Sequence, residues 1–154
     1  MIDAWSNHEA WMRHALTLAA RASESGEVPV GALVVVDGTV VGEGWNQPIA
    51  TSDPTAHAEI VAMRAASRYL RNYRLSGATL VVTVEPCLMC VGAMVHARIG
   101  TVVFGALEPR AGALGSSIAA HETAGLNHRL TAVGGVLAEE CRAVMQAFFR
   151  DRRA

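Results

Sequence analysis

Apolar positions along this chain switch between a helical and a strand-like period. Trp11, Ala15, Leu18 and Ala22 fall at helical spacing and predict a first helix over residues 5–24, closed by Gly26. Residues 28–36 are short, apolar and β-branched, and read as a buried strand. Asp37-Gly38 is a two-residue hairpin signal, which makes residues 39–45 the returning strand. Residues 46–54 are a polar, proline-containing loop. A second helix is expected over residues 55–70 and a central strand over 78–84. Proline is favoured at a helix start, so Pro86 marks the entry to a third helix over 87–98. Residues 101–105 and 131–137 complete the strands, and residues 138–152 form a closing helix. The Gly- and Ala-rich stretch 106–130 is too long to be an idle connection. A hairpin followed by strand–helix alternation predicts an α/β protein: three α/β/α layers around a five-stranded mixed sheet, with residues 1–154 as one domain.

Composition narrows the class. A chain of 154 residues, 51% hydrophobic and 18% charged, has the means for a real core. No apolar run approaches the ~20 residues of a membrane span. The N-terminus lacks the basic and apolar regions of a signal peptide. Three cysteines make no disulfide framework, so a reducing, cytoplasmic setting is expected. The 13 basic residues are all Arg and the net charge is −1. That excludes coating nucleic acid by bulk charge but not a local patch. Arg150, Arg152 and Arg153 form a compact basic tail; Arg64, Arg68, Arg71 and Arg74 are either phosphate contacts or a solvated face.

The chemistry concentrates in His57, Cys87 and Cys90. Imidazole and thiolate are preferred zinc donors. Cys87 and Cys90 are three apart, so one helical turn presents both sulfurs on one side. A helix start also favours the thiolate form. Three protein ligands leave a position open, as in a catalytic zinc site; a structural site needs a fourth, from Cys141 or another histidine. Glu59 lies two residues beyond His57 and points to a different side, so it is not expected to ligate. Zinc lowers the pKa of a bound water toward ~7, and a neighbouring carboxylate can take that proton and pass it to a leaving nitrogen. Read alone, Glu59 is equally an acid that complements the helix dipole.

The joint string His57-Ala-Glu59 and Pro86-Cys-Leu-Met-Cys90 resembles the signature of zinc-dependent nucleobase deaminases. Further stretches extend the match, among them Glu27-Val-Pro-Val-Gly31, Gly42-Glu-Gly-Trp-Asn46, Asp53-Pro-Thr-Ala-His-Ala-Glu-Ile60, Val102-Val-Phe-Gly-Ala106 and Phe148-Phe-Arg150. Over nearly its whole length the chain is similar to the bacterial tRNA-specific adenosine deaminase family. That resemblance implies a cytidine-deaminase-like fold and one Zn2+ per subunit of a homodimer. It implies hydrolysis of adenosine to inosine at the wobble position of a tRNA anticodon stem-loop, an arginine tRNA being the expected substrate. Attack falls at C6 of adenine, with Glu59 shuttling the proton. It also implies that Asn46 contacts the target nucleotide, and that the backbone around Ala58 and from Val84 through Pro86 to Cys87 reads the base edge. Val28, Pro29 and Val30 would wall the pocket, and Phe148, Phe149 and Arg150 would touch flanking nucleotides. Core packing is the competing reading for Val28, Val30 and the two phenylalanines. The chain departs from the family pattern at Gln47 and Glu108. Two alternatives stay open: a deaminase of a free base or nucleoside, and a zinc-stabilised RNA-binding protein without catalysis.

Overall fold

A computed structural model describes residues 4–153; the side chain of Arg153, expected in the basic tail, lies outside the described residues. The elements are α1 (Ala4–Glu24), β1 (Gly31–Val36), β2 (Thr39–Trp45), α2 (Pro48–Thr51), α3 (Ala58–Leu70), β3 (Thr79–Val84), α4 (Leu88–Ala97), β4 (Thr101–Ala106), a 3-10 turn (Ala120–Glu122), β5 (Thr131–Val133) and α5 (Ala138–Arg153). The strands form one sheet in the order β2-β1-β3-β4-β5. β1 pairs antiparallel with β2 and β3, whereas β3–β4 and β4–β5 are parallel. This is the expected three-layer α/β/α architecture with a mixed sheet.

Side-chain alternation divides the core. Ala32 and Val34 of β1 face one cluster with Ala58, Ala62, Leu80, Val82, Met94 and Val102, beneath α3 and α4. Leu33 and Val35 face the other, with Met12, Ala15, Leu18, Val81, Val103 and Cys141, beneath α1 and α5. β-Branched residues suit such strands because both faces are buried. The β1–β2 hairpin turns at Asp37 (φ 49°) and Gly38 (φ 76°), the positive-φ pair that a two-residue turn requires.

Strand glycines set the distance between sheet and helices. A Cβ on Gly42 would stand 2.4 Å from the Ala62 carbonyl oxygen, and one on Gly44 2.4 Å from that of Ala58. The backbone of α3 therefore rests directly on β2, with Ala58, Ala62 and Ala66 as the facing side chains. Gly31 gives α1 the same close seat, and Gly105 makes room for Cys141 of α5.

Three boundaries differ from the sequence expectation by more than one residue and one short helix was not anticipated, each for a local reason. β1 starts at Gly31 rather than residue 28, because Pro29 has no N–H to pair and the Val30 N–H turns back to the Val28 carbonyl (2.9 Å) across it. α3 starts at Ala58 rather than 55: Asp53 accepts hydrogen bonds from both the N–H (2.8 Å) and the hydroxyl (2.7 Å) of Thr55, an Asx turn that delays helical geometry. Within 46–54 the short α2 forms, its free N–H groups at Ile49 and Ala50 held by the buried carboxylate of Glu27 (3.2 and 2.8 Å). β5 ends at Val133 because Gly134 follows and Gly135 (φ 88°) turns the chain.

Candidate metal centre and substrate cleft

Two helix starts meet at the edge of the sheet where β2, β3 and β4 end. His57 is the N-cap of α3 and Cys87 the N-cap of α4, both with extended backbone (ψ 155° and 173°). N-cap side chains commonly fold back on the first helical N–H groups. Neither of these makes a side-chain cap bond, so each projects away from its helix. Cys90, on the first turn of α4, is buried beside them. The expectation that His57 and Cys87 lie inside their first helical turns is thus shifted by one position, and the convergence itself holds.

The donor geometry fits zinc. His57 Nδ1 lies 3.6 Å from Cys87 Sγ and 3.6 Å from Cys90 Sγ. Bond lengths of roughly 2.0–2.1 Å to nitrogen and 2.3 Å to sulfur at tetrahedral angles demand an N···S separation of about 3.6 Å. Among the described residues this is the one group of three or more His, Cys, Asp and Glu side chains placed to share a metal, its donor atoms all within 4.8 Å of one another. Cys141, the other cysteine, packs against Gly105 in the opposite core layer and offers no fourth ligand. Its thiol is pushed up to about 11 by burial.

The two sulfurs interact through one hydrogen bond, which moves their thiols in opposite directions. The Cys90 thiol donates to Cys87, which drops to about 4, and that same hydrogen bond with burial pushes Cys90 far up. His57 is raised by its hydrogen bond to Cys87. Both cysteines would hold zinc as thiolates, so metal affinity would fall as pH is lowered.

Glu59 is 4% exposed and lines the same cleft without joining the ligand group, as its spacing predicts. Burial pushes its carboxyl up to about 7. The cleft, of about 150 Å³, also presents Val30, Asn46, Val84, Glu85, Glu108, Ala111 and Met145. Asn46 Oδ1 accepts the Ala58 N–H (2.9 Å), which fixes the amide and leaves its NH2 group toward the cleft it lines. The Ala58 N–H is committed to that bond. Pro86 is buried, and its carbonyl receives the Ala113 N–H (2.8 Å).

The other anticipated positions divide. Val30 walls the cleft; Val28 and Pro29 are not among its lining residues, Val28 packing against the α3/α4 core and Pro29 being buried. A second groove of about 560 Å³ shares Val84, Glu108 and Met145 with the cleft and continues to Phe149 and Arg150 on α5. Phe148 does not line that groove; its ring packs edge to face on Phe149 (5.4 Å between centres) and lies beneath the Arg152 guanidinium (4.6 Å to the ring centre). Arg152 also donates to the Gly26 carbonyl (2.6 Å). Sequence reasoning missed Glu85, Ala111 and Met145. The signal for Glu85 was an acid immediately after a buried, β-branched strand.

Comparison with known proteins agrees with this geometry. Residues 5–106 match the model of the cytidine and deoxycytidylate deaminase zinc-binding region. The chain is 50% identical to the tRNA-specific adenosine deaminase of Haemophilus influenzae over 146 residues, covering 94% of this chain and 84% of that protein. It is 41% identical to the enzyme of the same name from Bacillus subtilis, covering 94% and 90%. A solved structure from work on A-to-I editing by tRNA:A34 deaminases superposes with a TM-score of 0.85 at 38% identity, covering 88% of this chain and 98% of that one. The residues that build the metal centre fall within residues 5–106, and the match to the deaminases at 94% of the chain reaches into α5. The chain belongs to the zinc-binding cytidine and deoxycytidylate deaminase family and, within it, to the tRNA-specific adenosine deaminases.

Proposed function

We propose that this protein hydrolyses adenosine to inosine at the wobble position of a tRNA anticodon, with an arginine tRNA as substrate. What carries the reading is the 50% identity to a tRNA-specific adenosine deaminase across 94% of the chain, which reaches well beyond the metal motif. The groove running from the metal centre to Phe149 and Arg150 supports it, because a free base needs no such extension. We place residues 1–154 in one catalytic domain, acting in the cytoplasm as a homodimer with one zinc per subunit.

His57, Cys87 and Cys90 hold the zinc. When bound, zinc supplies Lewis-acid chemistry that brings the pKa of water toward neutrality. The carboxylate of Glu59 takes a proton from the attacking water and delivers it to the leaving C6 nitrogen, so water enters and ammonia departs. The Asn46 amide donates to the target nucleotide. Val30 and Val84 wall the base, while Ala58 and Pro86 fix the two backbone segments beside it. Val28 and Pro29 act behind this wall, as the arm that positions Val30. Phe149 and Arg150 meet the flanking nucleotides, by stacking and by phosphate contact. A target base must leave its stack to enter, and an anticodon loop offers such a base at low cost.

The test is inosine formation in an arginine-tRNA anticodon stem-loop carrying the wobble adenosine, with free adenosine, guanine and cytosine run in parallel. Inosine in the stem-loop alone is the expected result. Ammonia released only from a free base or nucleoside overturns the substrate and keeps the zinc chemistry.

A further inference from the structure

Glu85 follows the last residue of β3, immediately before Pro86 and Cys87, and is 4% exposed. Its carboxylate is surrounded by donors from one loop. Oε1 accepts the Glu108 N–H (3.1 Å) and the Ser116 hydroxyl; Oε2 accepts the N–H groups of Leu114 (3.0 Å) and Ser116 (3.0 Å). The loop closes so tightly that a Cβ on Gly112 would stand 2.4 Å from Glu85 Cδ. The neighbouring Ala113 N–H reaches the Pro86 carbonyl (2.8 Å). Glu108 and Ala111, carried by this loop, line the cleft. The Glu108 carboxylate is itself turned back on the loop, accepting the N–H groups of Arg110 (3.3 Å) and Ala111 (2.6 Å).

We propose that Glu85 is a positioning residue of the substrate cleft: its buried carboxylate gathers the backbone of residues 108–116 and so fixes the wall on which Glu108 and Ala111 stand. This deepens the reading of the cleft as an RNA site and rests on it. A buried carboxylate is costly unless several donors satisfy it, and N–H donors to a charged oxygen are the stronger kind. All four donors here belong to residues 108–116, 23 to 31 positions downstream. The same short segment therefore supplies the metal ligand Cys87 and the anchor of the opposite wall. The relative placement of metal and wall is set within three residues of chain.

Glu85→Gln removes the charge and places an NH2 group among donors. Ser116→Ala removes one donor from an exposed side chain and leaves the core untouched. Two readouts separate anchoring of the loop from general stability. The first is tryptic nicking of the native, zinc-loaded protein after Arg110, an exposed residue of the loop, followed by mass spectrometry. Nicking tracks the population of the open loop. The second is the split between KM and kcat on the anticodon stem-loop. E85Q is expected to nick about tenfold faster than wild type. It should retain one zinc per chain and raise KM about tenfold, with kcat within about threefold. S116A should fall between, and the double variant should nick no faster than E85Q. A wild-type nicking rate in both single variants overturns the proposal, as does loss of zinc from E85Q. Should E85Q not fold, S116A alone decides by its nicking rate. A wild-type protein that fails to deaminate the stem-loop overturns the proposed function, and the nicking ratio still decides the role of Glu85.

Discussion

Gly44→Ala is a one-carbon lever on the metal centre. In β2 the new Cβ would stand 2.4 Å from the Ala58 carbonyl oxygen, 2.6 Å from the Ala62 nitrogen and 2.9 Å from the Val61 Cβ. Favourable heavy-atom contact begins near ~3.5 Å, so the first turn of α3 must retreat by about 1 Å. Gly44 does not require positive φ, so alanine is conformationally allowed and gains about 0.4–1 kcal/mol from the unfolded state. Overpacking costs about 1–3 kcal/mol and outweighs that gain. The net loss of about 1–2 kcal/mol lowers Tm by roughly 2–8 °C for a chain of this size. The first turn carries Glu59 and is capped by His57, and a 1 Å misplacement at a reacting centre costs about a hundredfold in rate. Gly42→Ala is the matched control. Its Cβ meets the Ala62 carbonyl oxygen at the same 2.4 Å, four residues further from the site, about 6 Å along the helix. Both variants should lose similar stability in urea titrations, while only G44A loses about a hundredfold in stem-loop deamination. Equal losses of turnover in the two variants, or wild-type turnover in a destabilised G44A, would refute the claim that this helix seat sets the catalytic geometry.

Four further outcomes are expected. Glu59→Ala keeps one zinc per chain by atomic absorption and loses at least about a hundredfold in turnover; loss of the metal would remove Glu59 from proton transfer. Arg150→Ala lowers stem-loop affinity and reduces the salt slope by about one, whereas Arg152→Ala lowers Tm and leaves the slope alone, because Arg152 is spent on the Gly26 carbonyl and the Phe148 ring. Cys141→Ala, together with chelation of the wild type, tests ligand number: the variant binds zinc normally, and the chelated protein keeps its circular dichroism spectrum. For acid stability, the Thr55 hydroxyl and N–H hold the Asp53 carboxyl below its usual range. The stability from those bonds is present above about pH 4 and is lost as pH falls through the lowered folded value. Asp53→Asn should flatten that acid limb in pH-dependent urea melts, and an unchanged limb would assign acid sensitivity elsewhere.

The metal ligands were legible because their chemistry is rare and their spacing is local. Two thiols three positions apart can share one object only on a helical turn, and His57-Ala-Glu59 carries its own separation of roles. The strand alternation was legible for the same reason: period two over five or six residues needs no distant information. Boundaries were misplaced where a side chain outbid the repeat. Asp53 holds Thr55 out of α3, and Pro29 withholds β1 from pairing until Gly31. The shape of the stretch 106–130 was not legible at all. Its decisive partner, Glu85, lies more than twenty positions upstream, and nothing local in the sequence ties it to that stretch. Phe148 and Phe149 were undecided between core and RNA; their rings pack edge to face (5.4 Å between centres), Phe149 lining the groove and Phe148 lying beneath Arg152.

The two walls of the cleft are held by different physics, and this separates what can vary from what cannot. The α3 wall rests on backbone-to-backbone contact at Gly42 and Gly44, where a single added carbon meets carbonyl oxygen. Close-packed backbone cannot yield by a few tenths of an ångström without moving a whole helix, so Glu59 and His57 have one position. The opposite wall hangs from a carboxylate by four hydrogen bonds, its close backbone approach confined to Gly112. Hydrogen bonds tolerate a spread of length and angle, and the exposed side chains of residues 109–111 meet no such backbone constraint. Substitutions at 109–111 should therefore change which nucleotide is accepted while leaving the metal and the proton-transfer group in place. Substitutions on the glycine seat should abolish turnover for every nucleotide alike. A panel of residue-110 and residue-111 variants assayed against RNA and DNA stem-loops separates the two cases. Uniform loss of turnover across both substrates would place the loop within the catalytic geometry instead.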